Sequence, residues 1–598
     1  MPAIDSVNNA TGARPCVPRY RCAALAVALA ALAGGCRPTG TDEQGASQPD
    51  VGRFVRDAIA LDGAEQLRSG QNEVSAAATK IDASRLLCWH SWSPGEAYEF
   101  VSNGVTRSLL APQLPTPYLV RRVPLEEVAD AAIAGVTPDS VVRFAPDSRR
   151  LAIGTFHGAL LVINAYTGET LFQHRISAGM VKSLAWSADG RWLYAGEQSP
   201  DAFLLGIDTG VQREDADVAI DAVAVAVDEN RSSPPVSHYS IAWRQRLAER
   251  VETSRPAAGD RYAIYTLPAV HDLRVADDGR VFAAATHNWL RDGELTNRSV
   301  IACYSADGSE LWSLPPEGAW GLTIAHFDCD RAGQRLVCLP NRTQSTAAPA
   351  QPLFTNNLEP GTFYLIDARR GAVLAAQPLE PLAPHFARVE AWDSVAICDD
   401  GTRAAAGLVD GRVVLCETAS DRLTLLRTFE LGTPRIVGDL PIAAACSYTR
   451  FCGPWLVMQT QNTHIPFGNP QAANQAPSPH PGANRLTVAD REGNELWNYR
   501  GPFAISGAWS DAAGRWLLVN CREQPGTAET GQFGCLLFDT ERAGGGADKL
   551  VYYYATTGPV TSSADISPDG RLIAVVEVPA PTADGRDLFG KHQVHIVH

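Results

Sequence analysis

Side chains that could bind a ligand or transfer protons lie in short segments between predicted strands. They are His157, His287, Trp289, Arg291 and His464. Converging histidines could hold a metal ion or act as a general base. However, no metal-ligand spacing links these residues, and the chain has no Gly-x-Ser-x-Gly, phosphate loop or His-Glu-x-x-His. We therefore predict no catalytic residue, no metal site and no cofactor, and we interpret these five residues as part of an interaction rim.

Cysteines are the second group of reactive side chains. Ten cysteines follow Cys36, an even number that suits an oxidising compartment outside the cytoplasm. Three pairs flank predicted loops or hairpins: Cys521 with Cys535, Cys329 with Cys338, and Cys446 with Cys452. A disulfide closing a loop of about 15 residues contributes about 3 kcal/mol in the chain-entropy model. The alternative for each pair is that the thiols are small buried apolar groups.

These residues lie within a sequence pattern that recurs between positions 141 and 598. It consists of an apolar strand, an Asp-Gly-type turn, a second apolar strand, and a third strand that closes on Asp-x-x-Gly. Its first turn occurs eight times, at Asp147, Asp189, Asp278, Gly333, Asp400, Cys452-Gly453, Gly514 and Asp569. Tight hairpins need positive φ, which Gly and Asx residues tolerate. Tryptophans recur on these strands, at Trp186, Trp192, Trp312, Trp497, Trp509 and Trp516, and we expect them to pack between sheets.

The repeats predict an all-β fold: a single eight-bladed β-propeller of four-stranded antiparallel blades. Second strands such as residues 572–576 are apolar on both faces and need covering from both sides, which neighbouring blades of a radial array provide. Residues 118–125 look like a fourth strand without its first three, and the last repeat lacks a fourth strand. We predict that this N-terminal strand completes the last blade and closes the ring.

Long insertions divide the propeller region, residues 118–598, at residues 212–261, 340–362 and 461–484. The last two connect second and third strands, which places them on one rim of the ring. Within the first insertion, residues 240–253 show apolar residues at helical spacing and predict a helix. A ninth blade with its turn at residues 228–230 is the alternative interpretation of this insertion.

The N-terminal segment resembles a bacterial lipoprotein signal. Three arginines precede an apolar run over residues 22–33, and Leu32-Ala-Gly-Gly-Cys36 follows. The resemblance implies cleavage after residue 35 and acylation of Cys36, whereas an ordinary secretory signal is the alternative. Residues 36–50 are predicted to be a flexible tether, and residues 51–117 an N-terminal extension that begins with a short helix. This organisation predicts a lipid-anchored protein on the periplasmic or extracellular side of a membrane.

The repeats also resemble known propeller families. The Asp-Gly hairpins resemble WD-repeat propellers and the translocation propeller of the Tol system. Residues 304–312 and 488–497 look like the tryptophan repeat of quinoprotein dehydrogenase (PQQ-like) propellers and their non-enzymatic lipoprotein relatives. Trp-Asp at the ends of third strands and the adjacent cysteine pair of many quinoproteins are absent. The resemblance therefore implies the fold, and no cofactor or calcium ligand is carried over to this chain.

The sequence favours a non-catalytic, monomeric scaffold that binds protein or peptide partners through the long-looped rim. The net charge of −15 argues against nucleic acid as a partner and against electrostatic adhesion to anionic lipid. Membrane attachment would therefore depend on the lipid anchor. The alternatives are a quinoprotein-like dehydrogenase with a redox cofactor in the central channel, and a hydrolase or lyase with a site built from loops.

Overall fold

The computed structural model of the chain describes residues 79–80, 97–102, 105–110, 119–133, 138–210, 239–247, 267–291, 294–320, 322–324, 326–342, 358–392, 394–437, 440–466, 479–500, 504–522, 533–581 and 588–598. The signal segment, the tether, the helix predicted after residue 50 and the turn at residues 228–230 lie outside these ranges. The described residues are mostly β-strand, with short helices at Ala129–Ile133 and Gly546–Lys549. Within the same ranges, no helix has the length and apolar character needed to cross a bilayer.

The strands form four-stranded antiparallel sheets, which we number along the chain. Within each sheet, the first to fourth strands follow the order of pairing. Sheet 1 contains Val141–Phe144, Arg150–Gly154, Ala159–Asn164 and Thr170–Arg175. Sheet 2 contains Met180–Trp186, Trp192–Gln198, Phe203–Asp208 and Ser240–Arg246. Sheet 3 contains Ala269–Val275, Val281–Arg291, Glu294–Tyr304 and Glu310–Trp320. Sheet 4 contains Phe327–Cys329, Arg335–Cys338, Thr362–Asp367 and Ala372–Pro378.

The remaining sheets follow the same order. Sheet 5 contains Val395–Ile397, Arg403–Gly407, Arg412–Thr418 and Leu423–Glu430. Sheet 6 contains Leu440–Cys452, Trp455–His464, Arg485–Ala489 and Glu495–Arg500, with Arg435–Val437 added beside its first strand. Sheet 7 contains Ala504–Ser510, Trp516–Arg522, Gly534–Asp539 and Leu550–Ala555. Sheet 8 contains Val560–Ile566, Ile573–Glu577, Gln593–Val597 and Leu119–Pro124.

Smaller elements lie beside these sheets. A separate small sheet contains Thr79–Lys80, Ala97–Ser102 and Val105–Leu110. Two short ladders pair Leu322–Thr323 with Asn341–Arg342 and Ala580–Pro581 with Leu588–Phe589. Sheets 2 and 3 are joined by one bridge, between Gln198 and Ala269.

The sheets are arranged around a shared axis, as in a β-propeller. The first strand of each sheet contacts the first strand of the next, and the first strand of sheet 8 contacts that of sheet 1. The second strands of sheets 1 and 8 are buried along their whole length, as their two apolar faces predict. Apolar clusters fill the spaces between neighbouring sheets, for example Phe282 and Ile301 of sheet 3 against Phe327 and Leu336 of sheet 4.

The turns between first and second strands occupy one face of the molecule, which we call the turn face. They are linked from sheet to sheet by a recurring hydrogen bond, in which a side chain at the start of one second strand donates to the turn carbonyl of the next sheet. These bonds join Arg150 Nη2 to Gly190 at 3.0 Å, Arg280 Nη2 to Gly333 at 2.6 Å, Arg335 Nη1 to Gly401 at 2.7 Å and Trp455 Nε1 to Gly514 at 2.9 Å. The Asp569 amide donates to Ser148 Oγ at 3.1 Å and so joins the turns of sheets 8 and 1.

Glycine is favoured at the turn of sheet 2 for two reasons, whereas the turn of sheet 1 has Ser148 with a φ of +57°. Gly190 has a φ of +67°, a conformation that side chains disfavour. A Cβ at Gly190 would also lie 2.6 Å from Arg150 Nη2. The opposite face carries the connections between second and third strands, and we call it the long-loop face.

The prediction of a helix over residues 240–253 is wrong where the structure describes it. Ser240–Arg246 is the fourth strand of sheet 2 and pairs antiparallel with Phe203–Asp208. Trp243 packs against Gly206 and Gly308, and its Nε1 donates to the Ala306 carbonyl at 2.9 Å. The spacing of the apolar residues in 240–253 fits a strand that packs against a neighbouring sheet as well as it fits a helix. The spacing alone therefore could not distinguish the two elements. The insertion at 212–261 therefore supplies a sheet strand.

None of the three predicted disulfides is present, because all six cysteines are free. Cys446 and Cys452 lie on the same strand, Leu440–Cys452, where six residues span about 20 Å. A disulfide needs Cα atoms about 4.4–6.8 Å apart. In sheet 7, Asn520 pairs with Cys535 and Cys521 pairs with Gly534, so the two thiols point to opposite faces and enter different apolar clusters.

The third pair is excluded by register. Cys338 pairs with Phe327, and Cys329 pairs with Leu336. The two cysteines are therefore diagonal neighbours, whose Cα atoms are about 7–8 Å apart in an antiparallel ladder. Burial raises the pKa of the Cys338 thiol to about 12, so this cysteine is a buried neutral group.

The first described strand of the propeller region pairs with the last. Leu119–Pro124 runs antiparallel to Gln593–Val597, with Arg122 opposite His595 and Val123 opposite Val594. The ladder continues into the Leu125 amide, which donates to the His592 carbonyl at 2.9 Å.

Candidate functional site

His157 lies on the long-loop face, between the second and third strands of sheet 1. Its amide donates to Glu126 Oε1 at 2.9 Å, and its Nε2 lies 3.3 Å from the Glu127 carbonyl. The side chain is exposed. His157 is thus fixed beside the segment that follows the N-terminal strand, and it remains accessible to a partner.

His287, Trp289 and Arg291 lie on a long hairpin of sheet 3. The sequence places them in a loop, but both strands of the hairpin extend for 11 residues. His287 is opposite Arg298, Trp289 is opposite Thr296, and Arg291 is opposite Glu294. The three residues therefore belong to a β-ribbon rather than to a loop.

His464 ends the second strand of sheet 6 and is partly buried. Burial, helped by the charge of His480, lowers its pKa to about 4, and its ring lies 6.3 Å from the Phe386 ring. His464 therefore carries a neutral ring at pH 7. The structure places His157 and His464 on different sheets, so they do not form one histidine site.

A cavity of about 330 Å³ lies in the channel where first strands reach the turn face. We call it the channel pocket. Its charged and aromatic lining residues are Arg143, Trp186, Arg274, Arg450, Phe451, Trp509 and Asp565. These side chains come from sheets 1, 2, 3, 6, 7 and 8, so the pocket exists only when the sheets surround a common axis.

Arg274 is held by two carboxylates of adjacent sheets. Its Nε donates to Asp328 Oδ1 at 2.8 Å, and its Nη1 donates to Asp272 Oδ1. Burial alone would raise the pKa of Asp272, but Arg274 and His326 outweigh it and hold the pKa at about 2. Asp328 also accepts the Ile397 amide at 3.0 Å. Arg274 is therefore a fixed cation in the wall of the channel pocket.

Arg143 lies across the boundary between sheets 1 and 8. Its Nη1 donates to the carbonyls of Val142 and Ala564 at 3.1 and 3.3 Å. Burial lowers the pKa of Arg143; Asp565 opposes this effect, and the charges of Arg450 and Arg274 add to it. Burial also raises the pKa of Asp565, an effect that Arg143 partly offsets.

Arg450 is the third guanidinium of the pocket. Its Nη1 donates to Tyr448 Oη at 3.3 Å, and Tyr448 Oη donates to the Ala508 carbonyl at 2.5 Å. Its guanidinium carbon lies 6.0 Å from the centroid of the Tyr448 ring, within the range of a cation–π interaction.

The charged side chains of the pocket lining are mainly arginines. Three arginines and one aspartate are its charged lining residues. In the part of the chain that the structure describes, no group of three or more His, Cys, Asp or Glu side chains could hold a metal ion. Sequence analysis missed the pocket, although a signal exists: Arg143, Arg274 and Arg450 each lie within two residues of the end of a first strand.

A second polar group that sequence analysis missed lies inside sheet 8. Glu577 is fully buried. Its Oε2 lies 2.5 Å from His595 Nε2 and accepts Gln593 Nε2 at 2.7 Å, and its Oε1 accepts the Thr557 hydroxyl. Tyr554 Oη lies 2.8 Å from His595 Nδ1. We call these five side chains the sheet 8 network.

Comparison with known families matches one repeat of the chain. The WD domain, G-beta repeat family matches residues 167–203, which begin in the last turn of sheet 1 and end at the third strand of sheet 2. The β-propeller domain of Cps50 (Swd1) from Myceliophteria thermophila is 10% identical, with a TM-score of 0.36, over 80% of this chain and 99% of that chain. No curated protein matches this chain.

A second similar structure is Sqt1 from Chaetomium thermophilum, solved bound to the N-terminus of the ribosomal protein L10. It is 11% identical, with a TM-score of 0.46, over 77% of this chain and 96% of that chain. The family match of one repeat, together with the arrangement of the sheets around a shared axis, identifies the chain as an all-β, WD-repeat-like β-propeller protein.

Proposed function

We propose that this protein is a non-catalytic scaffold, a closed eight-bladed propeller that binds a protein or peptide through its long-loop face. The contacts between successive first strands, including those between sheets 8 and 1, support the closed ring. The ladder between Leu119–Pro124 and Gln593–Val597 supports its closure by the N-terminal strand. A ring closed in this way leaves only short, protected strand edges.

The observation that carries the binding proposal is the difference in length between connections on the two faces. On the turn face, the first and second strands of sheet 5 are separated only by residues 398–402. On the long-loop face, the second and third strands of sheet 4 are separated by residues 339–361, and those of sheet 6 by residues 465–484. Long loops on a rigid scaffold are common sites of recognition.

The rim proposal is tested by affinity capture from the native cell envelope. Two variants are compared with the full chain: one lacks residues 343–357 and 467–478, and the other carries Arg369→Ala and Arg370→Ala, two exposed residues of the turn face. We expect partners to be lost from the loop variant and retained by the turn-face variant. Recovery of the same partners with both variants would contradict the proposal.

We further propose that Cys36 is acylated and holds the protein on the outer side of a membrane. The lipoprotein-like segment that ends at Cys36 supports this proposal. Two or more acyl chains give stable attachment, which a single chain does not. Cys36→Ala is expected to release the protein from the membrane fraction, and mass spectrometry of the wild-type N-terminus should detect the lipid. An unmodified residue 36 in wild-type protein would contradict the anchor while leaving the rim proposal intact.

A further inference from the structure

The channel pocket lies at the end of the channel opposite the long-loop face. Its lining comes from the last residues of first strands, such as Trp186, Val275, Cys452 and Ser510, which directly precede the turns. It is therefore separate from the surface assigned to protein partners above, and its chemistry can be considered on its own.

Three guanidinium groups line the channel pocket, although the chain as a whole is strongly negative. The protein has a net charge of −15, yet Arg143, Arg274 and Arg450 all line one cavity of about 330 Å³. Asp272 and Asp328 do not line the pocket, but they bind Arg274 and offset its charge. Among the residues that the structure describes, Asp565 supplies the one carboxylate of the lining, and it also accepts the Phe144 amide at 2.7 Å.

Arg143 is the guanidinium whose charged form the pocket disfavours. Burial lowers its pKa, Asp565 opposes this effect only in part, and the charges of Arg450 and Arg274 add to it. A bound anion would stabilise the charged form of Arg143, because buried charges are stabilised by partners of opposite sign. Arginine also presents planar donors that match the oxygens of carboxylate and phosphate groups.

The size and walls of the pocket indicate what carries the anion. A cavity of about 330 Å³ is at the lower end of the range of about 300–1,000 Å³ for small-molecule sites. Trp186, Phe451 and Trp509 supply apolar walls, and the Trp186 ring is fixed by its Nε1, which donates to the Arg143 carbonyl at 3.2 Å. We propose that the channel pocket binds an oxyanion, a carboxylate or phosphate, carried by a small organic molecule.

Calorimetric titration of the full chain with citrate tests this proposal. Inorganic phosphate is the second probe, trimethyl citrate is the uncharged control, and a glutamate-rich peptide distinguishes a protein-borne carboxylate from a small molecule. All titrations are made at constant ionic strength. We expect saturable binding of citrate and phosphate, no binding of the ester, and weaker binding of the peptide than of citrate. A peptide that binds more tightly than citrate, or an absence of saturable binding by either anion, would overturn the proposal.

Three variants locate the binding site. Arg450→Gln is expected to weaken citrate binding at least tenfold, whereas Arg422→Gln, the same change at an exposed residue of sheet 5, should leave it unchanged. Asp565→Asn should strengthen binding, because it removes a lining carboxylate while an amide oxygen can still accept the Phe144 amide. Equal affinity in Arg450→Gln and Arg422→Gln would overturn the assignment. If Arg450→Gln does not fold, Asp565→Asn tests the location of the site. Tighter citrate binding by Asp565→Asn supports the channel pocket as the site, and unchanged or weaker binding overturns that assignment.

Discussion

Sheets 5 and 8 share one strand order but differ in how their strands are supplied and in what their middle strands contain. Sheet 5 comes from one continuous segment, residues 395–430, and its second strand is formed largely by buried alanines, including Ala404 and Ala406. Sheet 8 joins Leu119–Pro124 to strands from the end of the chain. Its equally buried middle strands carry Glu577 and His595.

The difference shows two ways of fixing strand register. In sheet 5, short connections hold each strand next to its neighbour. In sheet 8, the fourth strand is remote in sequence, and it pairs with the strand that carries the sheet 8 network. A buried carboxylate is costly without partners, so a shift of Gln593–Val597 that separated His595 from Glu577 would be penalised. The network therefore favours one register where chain connectivity does not impose it.

The largest expected effect is that of removing the carboxylate from sheet 8. Glu577→Ala leaves His595 and Gln593 buried without their shared acceptor and removes the acceptor of the Thr557 hydroxyl, which should lower the free energy of unfolding by about 3–5 kcal/mol. Urea denaturation measures the change. Glu577→Gln is the matched control and should cost less, because the amide oxygen still accepts a hydrogen bond. A loss below about 1 kcal/mol for Glu577→Ala would mean that the network does not stabilise the sheet.

Apolar packing should not distinguish the two sheets. Val413 of sheet 5 and Val594 of sheet 8 are both fully buried near the start of a third strand. Val413→Ala and Val594→Ala should each lower the free energy of unfolding by about 2 kcal/mol, from lost apolar burial and the cavity that remains. The same denaturation measurement compares them. A clearly larger loss for one valine would show that packing also differs between the sheets.

Acid should weaken sheet 8 selectively. Burial alone would raise the pKa of Glu577, but its hydrogen bonds and the charge of His595 outweigh this and lower it below the usual value. A carboxyl group with a lowered folded-state pKa stabilises the fold above its unfolded pKa of about 4.3 and loses that contribution as pH falls further. The difference in unfolding free energy between wild type and Glu577→Gln should therefore be constant above about pH 5 and shrink below about pH 4.3. A difference that does not change with pH would contradict this prediction.

The smallest effect is expected for an ion pair at the surface of sheet 5. Arg403 Nη1 lies 3.3 Å from Glu417 Oε1, and the Glu417 side chain is 51% exposed. Exposed pairs contribute little because water and salt screen them, so Glu417→Ala should change the free energy of unfolding by less than about 1 kcal/mol. Denaturation at low and high salt checks the value. A cost similar to that of Glu577→Ala would remove the contrast between buried and exposed charges.

Local signals in the sequence predicted much of the fold. The turns at Asp189, Gly333 and Asp569 lie where the repeat places them, because positive φ restricts those positions to a few residue types. The strand before the first repeat was recognised because it had no partners of its own. The prediction of a helix around Trp243 was wrong because the spacing of its apolar residues fits both a helix and a strand. The predicted disulfides were wrong because closeness in sequence does not reveal which residues of two strands are paired or on which side of the sheet a side chain lies.

The channel pocket was harder to predict than the fold. Arg143, Arg274 and Arg450 are separated by more than a hundred residues from one to the next, and the arrangement of first strands around a shared axis brings them together. Trp186 and Trp509 were predicted as packing residues, and they also line the pocket. A site assembled from many repeats is therefore visible in the sequence only as one unusual residue in each repeat. Here that residue is an arginine near the end of a first strand.

The ladder between Leu119–Pro124 and Gln593–Val597 also determines how the protein responds to mechanical load. A pull applied at Leu119 in line with the strand stretches its register pairs with Gln593–Val597 together. A pull at right angles to the strand opens the same pairs one after another, at lower force. The resistance of this junction to stretching thus depends on the direction of the force, and optical-tweezer measurements with handles at different sites can detect that anisotropy.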